Sequence, residues 1–187
     1  WCVFPDLKER SQYTGVYKAY NFDIFADLLR DNGMETQAEK FLHASGKLQT
    51  LAYKYELERH FRTRNYAGFQ LLSLNDYSGQ GTALVGPLNV FWREKGYVDG
   101  EAWRQFCSEV VPLALFPKFV YTNDETLILP VELYNASGRQ LKDAVVTYSV
   151  DDGHGTEYAG GELSRGDMPL GKNIGAGRVT FALGRFG

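Results

Sequence analysis

Four polar side chains follow a short apolar run near the middle of the chain. The run, residues 68–74, stops at Asn75 and Asp76, and Tyr77 and Gln80 follow in a loop that contains Ser and Gly. Amide, carboxylate and phenol groups together donate and accept hydrogen bonds, so these side chains could bind a polar ligand. Asn and Asp are also common formers of Asx turns, and on this segment alone the turn is the more frequent interpretation.

The apolar run predicts how these side chains are positioned. It is bounded by turn residues and is too short for a typical helix, so it predicts a strand buried on both faces, as in a parallel sheet. In parallel α/β folds, sites form at the carboxyl ends of the strands. Helical periodicity predicts helices over residues 22–32, 35–61 and about 100–110. Gly46 lies inside the longest helix, where it indicates a kink or a close approach to another backbone.

From residue 116 onward, two-residue alternation replaces helical periodicity. It predicts strands over residues 118–122, 127–134, 144–150, 157–163 and 174–183, separated by turn residues. This pattern is typical of an antiparallel sandwich of immunoglobulin type, which usually has about seven strands. Five strands therefore predict an incomplete sandwich. We expect α/β structure over residues 1–115 and all-β structure over residues 116–187.

Composition excludes several kinds of site. The net charge is −3 and no basic run occurs, which argues against nucleic-acid binding. No stretch of eighteen apolar residues is present to cross a membrane. Neither Cys2 nor Cys107 has a partner at metal-ligand spacing, and the three His are isolated from one another. We therefore expect no metal and no cofactor, and whether the two cysteines pair stays open.

Several segments resemble one group of enzymes. The residues WCVFP at positions 1–5, GFQLLSLNDYSGQGTALVG at 68–86, Phe91–Trp92 and VELYN at 131–135 are similar to the β-galactosidase-like group of bacterial family 2 glycoside hydrolases. The segment at 68–86 is the most specific part of the match. The resemblance implies that residues 1–115 are the C-terminal part of a (β/α)8 barrel and that residues 116–187 begin an immunoglobulin-like domain.

The resemblance also implies a role for individual residues. In such enzymes the nucleophile is a glutamate in a segment of the form His-Glu-x-Gly-Gln-Trp, and Trp1 corresponds to its last residue. Both catalytic glutamates are then expected before Trp1, and no catalytic residue is expected in the chain. Trp1 and Tyr77 are expected to offer an apolar face to a sugar ring, and Asn75, Asp76 and Gln80 to hydrogen-bond its hydroxyl groups.

The leading hypothesis is thus a fragment of a retaining β-glycosidase that hydrolyses O-glycosidic bonds and is inactive alone. The alternative is a non-catalytic module that binds carbohydrate or serves as a structural β-sandwich, which the 14% aromatic content favours. We expect a carbohydrate partner, and self-association through exposed barrel edges. The resemblance implies export to a bacterial periplasm or to the extracellular space.

Overall fold

The computed structural model describes residues 3–14, 16, 18, 20–77 and 83–186. The chain divides into two compact units. The first is Trp1–Leu57 with Ala67–Gln105, and the second is Glu58–Tyr66 with Phe106–Gly187. None of the described helices is long and apolar enough to cross a membrane.

The first unit is helical. Its regular elements are a short 3-10 helix at Leu7–Gln12, helix α1 at Tyr20–Asp31, a single 3-10 turn at Glu35–Gln37, helix α2 at Ala38–Arg62, whose last residues belong to the second unit, and helix α3 at Gly100–Arg104. Helix α1 buries Phe22 and Leu29, which lie seven residues apart on one face. It ends where Gly33 adopts a φ of 65° and the Met34 N–H donates to the Leu29 carbonyl, 2.8 Å away. A glycine with positive φ is a common helix end, and it places the end of α1 within one residue of the predicted residue 32.

Helix α2 packs its inner face around an aromatic ring. Leu42 is buried in one cluster with Val3 and Tyr97. The Tyr97 ring lies directly against Gly46, where an added Cβ would be only 2.3 Å from a ring carbon. Gly46 therefore permits a close approach, but the group that approaches is the Tyr97 side chain and not the backbone that was predicted.

In the described residues, the second unit contains five strands in two antiparallel sheets. They are β1 at Val110–Ala114, β2 at Thr126–Asn135, β3 at Leu141–Asp151, β4 at Glu157–Met168 and β5 at Gly171–Ala182. One sheet has the order β1-β2-β5 and the other pairs β3 with β4. Their shared core is formed by buried apolar side chains, which are Leu129, Val131, Leu133, Met168, Ala176 and Val179. Alternation along each strand supplies these inward-facing residues.

The prediction of a partial (β/α)8 barrel is wrong. Residues 68–74 do not form a strand, and Leu72 is 87% exposed rather than buried. Every strand pair in the described part of the chain is antiparallel, and the one parallel contact is an isolated bridge between Asn75 and Leu88. A strand needs a neighbouring strand to pair with along its length, and the described residues of the first unit form isolated bridges but no strand. Within the residues that the structure describes, the regular β-structure consists of five antiparallel strands and not of a barrel segment.

Two further elements differ from the sequence prediction. Helix α3 ends at Arg104, and residues 110–114 form strand β1, which pairs with β2 across the predicted boundary at residue 115. Pro112 lies within β1, and proline is tolerated there because β1 is an edge strand. Residues 118–122 are not a strand. The remaining four predicted strands form, each with longer bounds than predicted.

We expect Gly46→Ala to destabilise the protein, although alanine favours helices by about 1 kcal/mol. The new methyl group would overlap the buried Tyr97 ring, and overpacking of this kind costs about 1–3 kcal/mol. Urea unfolding of Gly46→Ala measures the net effect. Gly68→Ala is the matched control, because no atom lies within 4 Å of its added Cβ. A Gly46→Ala protein more stable than the parent would contradict the packing described here.

Candidate functional site

The predicted site residues lie at a turn in the first unit. Asn75 is half-buried, and its amide donates to the Asp76 carbonyl oxygen, 3.0 Å away. Tyr77 points its side chain outward and is 62% exposed. Trp1 and Gln80 lie outside the described residues. The structure therefore places three of the five predicted residues, and it places them side by side on one turn.

Backbone hydrogen bonds join this turn to residues 83–88. The Asp76 N–H donates to the Leu88 carbonyl at 2.9 Å, and the Leu88 N–H donates to the Leu74 carbonyl at 3.1 Å. The Tyr77 N–H donates to the Ala83 carbonyl at 2.8 Å. Gly86 allows the two segments to touch, because a Cβ there would lie 2.6 Å from the Asn75 carbonyl carbon. A side chain at position 86 would separate them.

The Asp76 carboxylate faces the protein interior rather than a ligand. Its side chain is 1% exposed, and that of its partner Lys95 is fully buried. Asp76 Oδ1 accepts hydrogen bonds from Lys95 Nζ at 2.7 Å and from the Gly86 N–H at 2.8 Å. Lys95 Nζ also donates to the Leu84 carbonyl at 3.3 Å. Burial raises the pKa of the Asp76 carboxyl, and the Lys95 charge opposes that shift.

A second buried carboxylate, Glu9, lies beside this pair. Glu9 comes from the 3-10 helix at Leu7–Gln12 and is 4% exposed. Among the described residues, no donor lies within hydrogen-bond distance and angle of either Glu9 oxygen or of Asp76 Oδ2. Burial raises the pKa of Glu9 to about 7, and the Asp76 charge adds to the shift. Asn89 and Lys95 oppose the shift, and the Asp6 charge adds to it. One ammonium thus serves two buried carboxyl groups, which favours a proton on Glu9.

Helix α2 braces the same segment from its buried face. The Tyr97 hydroxyl lies 3.0 Å from both Gln49 Oε1 and the Gly86 carbonyl oxygen. The Gln49 amide donates to the Val85 carbonyl at 2.6 Å. Residues 84–86 are therefore held by α2 on one side and by the Asp76–Lys95 pair on the other.

A second turn exposes further aromatic rings. Asn89 is 8% exposed, and its side-chain oxygen accepts from the Phe91 and Arg93 N–H groups, both at 2.9 Å. Trp92 adopts a φ of 63° and is 64% exposed. Leu88 forms isolated bridges with both Asn75 and Glu94, so the two turns flank the same residue. The side chains of Tyr77 and Trp92 thus point to solvent from two turns. Both turns rest on one group of buried polar side chains, which is called the buried base and consists of Glu9, Gln49, Asp76, Asn89 and Lys95.

The sequence prediction missed the residues that form this base. Glu9, Gln49, Asn89 and Lys95 lie in a 3-10 helix, in α2 and in a charged loop, and nothing in their spacing marks them as partners of Asp76. Among the described residues, no three His, Cys, Asp or Glu side chains are grouped to hold a metal.

Comparisons with known proteins add one match. A family model described as a domain of unknown function (DUF8488) matches residues 125–186. This range covers strands β2 to β5 and less than half of the chain, and it does not include the turn at Asn75. No curated protein matches the chain.

We expect Lys95→Met to lower the free energy of unfolding by about 3–5 kcal/mol, because it leaves the Asp76 charge buried without a cation. The double variant Asp76→Asn with Lys95→Met should lose less, because the amide oxygen can still accept from Gly86. Urea unfolding of both single variants and the double variant completes the cycle. The pair would not be coupled as described if Lys95→Met lowered the free energy of unfolding by less than about 1 kcal/mol. The same would follow if the changes in the two single variants summed to that of the double variant.

The raised pKa of Glu9 predicts that stability falls as pH rises. Folding favours the protonated form of the Glu9 carboxyl. Its contribution to the free energy of unfolding is therefore fully present below pH 4.5 and is lost as pH rises through about 7. The shift corresponds to at most about 3 kcal/mol.

Glu9→Gln should abolish this loss, since glutamine resembles the protonated acid but does not ionise. Urea midpoints measured at about pH 5 and about pH 8 test the linkage. Glu101→Gln, at an exposed position of α3, is the control and should keep the pH dependence of the parent. An unchanged profile in Glu9→Gln would refute the assignment.

Proposed function

We propose that this chain is part of a retaining β-glycosidase that hydrolyses O-glycosidic bonds in carbohydrates. In this proposal the chain supplies side chains that contact the sugar, and the two catalytic glutamates lie outside it. The observation that carries the proposal is the Asn75–Tyr77 turn, which joins an exposed aromatic ring and an amide on a rigid base. It lies within residues 68–86, the segment on which the resemblance to β-galactosidase-like enzymes chiefly rests.

The chemistry of the turn suits a sugar. A pyranose ring has an apolar face of C–H groups that packs on an aromatic ring, and Tyr77 offers such a ring to solvent. The hydroxyl groups of the sugar both donate and accept hydrogen bonds, and the side-chain amide of Asn75 can do the same. Groups that bind a ligand must be held in place by their surroundings, and the Asp76–Lys95 pair does this for the turn. Asp76 then acts as a positioning residue that works through its neighbours.

The buried carboxylates support a binding role for this turn rather than a catalytic one. Retaining glycosidases use two carboxyl groups about 5–5.5 Å apart that both reach the substrate. Asp76 and Glu9 are 2% and 4% exposed, so neither can protonate a leaving group or attack a sugar from where it lies. The reacting carboxylates of the proposed enzyme must therefore be other residues.

A non-catalytic carbohydrate-binding module is the second candidate. The exposed rings of Tyr77 and Trp92 favour it equally, because they suit binding with or without hydrolysis. The two candidates differ in whether a longer polypeptide that contains this chain cleaves glycosides. Loss of its activity on Tyr77→Ala would favour the glycosidase, whereas binding without any cleavage would favour the module.

We expect the chain to bind methyl β-D-galactopyranoside with amide chemical-shift changes at Asn75 and Tyr77. Tyr77→Ala should weaken binding by about tenfold, equivalent to about 1.4 kcal/mol. Tyr20→Ala, which removes a ring that is 64% exposed on α1, is the matched control and should bind like the parent. The chain alone should release no nitrophenol from a nitrophenyl β-galactoside. Turnover by the chain alone would refute the placement of the catalytic residues, and equal effects of the two substitutions would refute the site.

A further inference from the structure

Helix α2 carries an apolar stripe on its outward face. The stripe consists of Phe41, Ala44, Leu48, Leu51 and Tyr55, which are spaced alternately by three and four residues. This spacing keeps side chains along one line of a helix and is the pattern by which helices pack together. Leu48 is 66% exposed and Leu51 is 63% exposed, whereas the opposite face of α2 buries Leu42 and Gln49.

Exposed lysines follow one edge of the α2 stripe. Lys40, Lys47 and Lys54 are seven residues apart, so they recur at the same position beside the apolar line. Two α2 helices packed antiparallel would bring these lysines against one another, and like charges at that position oppose pairing. The α2 stripe therefore suits a helix with acidic residues beside its apolar contacts.

Helix α1 has that character. Ile24 and Leu28 lie one turn apart on its outward face and are 56% and 52% exposed. Asp27 and Asp31 lie beside them, with side chains 57% and 68% exposed. Arg30 pairs with Asp27 at 2.7 Å and with Asp31 at 3.8 Å, but ion pairs this exposed are worth little and can rearrange.

The two stripes belong to neighbouring helices of the first unit. The Phe4 ring lies between them, with its centroid 5.1 Å from that of Phe25 on α1 and 5.7 Å from that of Phe41 on α2. One copy of the chain thus carries an acidic apolar stripe and a basic apolar stripe on adjacent helices. A two-fold axis would bring each stripe of one copy onto the complementary stripe of the other.

We propose that this face of the first unit is an interface between two copies of this chain, in which α1 of each copy packs against α2 of the other. The inference does not rest on the proposed sugar site, which lies on a different part of the unit's sequence. Apolar contact drives the association, and the pairing of aspartates with lysines sets which helices meet.

The size of the surface indicates a weak dimer. At 1.5 Å per residue and a helix width near 10 Å, the two stripes cover about 300–350 Å² per copy. Stable complexes bury about 800 Å² per partner, so we expect dissociation in the micromolar range or weaker. Raised salt should weaken the dimer further by screening the charge pairs.

Sedimentation equilibrium over a range of protein concentrations tests the interface. The parent chain should shift from monomer to dimer as concentration rises, and Leu48→Glu with Leu51→Glu should stay monomeric. Leu170→Glu changes a leucine that is 51% exposed in the second unit and should dimerise like the parent. Circular dichroism of each variant checks that it is folded. A parent chain that stays monomeric up to about millimolar concentration would overturn the proposal.

A charge exchange tests which helices meet. Lys47→Glu with Lys54→Glu should weaken the dimer about tenfold or more, and so should Asp27→Lys with Asp31→Lys. The four substitutions together should restore it, because the acidic and basic edges are then exchanged. A dimer that tolerates both pairs, or one that the combined protein fails to restore, would overturn the α1-to-α2 arrangement and point instead to another apolar surface.

Discussion

A single buried ammonium, that of Lys95, organises the first unit around the turn at Asn75. Removing charges from water is costly, and the cost is offset only where the charges are paired and hydrogen-bonded. Lys95 and the Gly86 N–H together satisfy one oxygen of Asp76, and the other oxygen has no partner among the described residues. Glu9 lies beside this pair, and among the described residues Lys95 is the cation whose charge acts on it. Burial is the main cause of the raised pKa of Glu9, and the neighbouring Asp76 charge adds to it.

The buried cluster of Asp76, Lys95 and Glu9 is joined to helix α2 by close packing at two glycines. Gly46 admits the Tyr97 ring against α2, and Gly86 admits the backbone of Asn75. Tyr97 connects the two contacts, because its hydroxyl reaches the Gly86 carbonyl while its ring rests on the helix. The turn is therefore anchored to the helix without any regular strand. This arrangement explains how an irregular segment can hold Tyr77 and Asn75 in fixed positions, as the proposed sugar site needs.

Sequence patterns predicted the elements whose signal is local. Helix α1 and strands β2 to β5 follow from periodicity within each segment, and their bounds differ from prediction by a few residues. The strand predicted over residues 68–74 was wrong because a short apolar run is equally compatible with a strand and with an irregular segment. Whether a strand forms depends on a neighbouring strand to pair with, which the run itself does not reveal. Strand β1 was missed because the helix was predicted to continue to residue 110, whereas pairing with β2 holds residues 110–114 in a sheet. The turn at Asn75 was predicted, but the burial of Asp76 depends on Lys95 and Glu9, which lie 19 and 67 residues away along the chain.

The buried side chains of Asp76, Lys95 and Glu9, not the apolar run before the turn, fix the Asn75–Tyr77 turn. Amide hydrogen exchange measured residue by residue tests it most directly, because the N–H groups of Asp76, Gly86 and Leu88 all donate within this structure. We expect these amides to be protected in the parent chain and to exchange much faster in Lys95→Met, while amides of β2 and β5 are unchanged. Protection that survives Lys95→Met, or its absence in the parent, would contradict it.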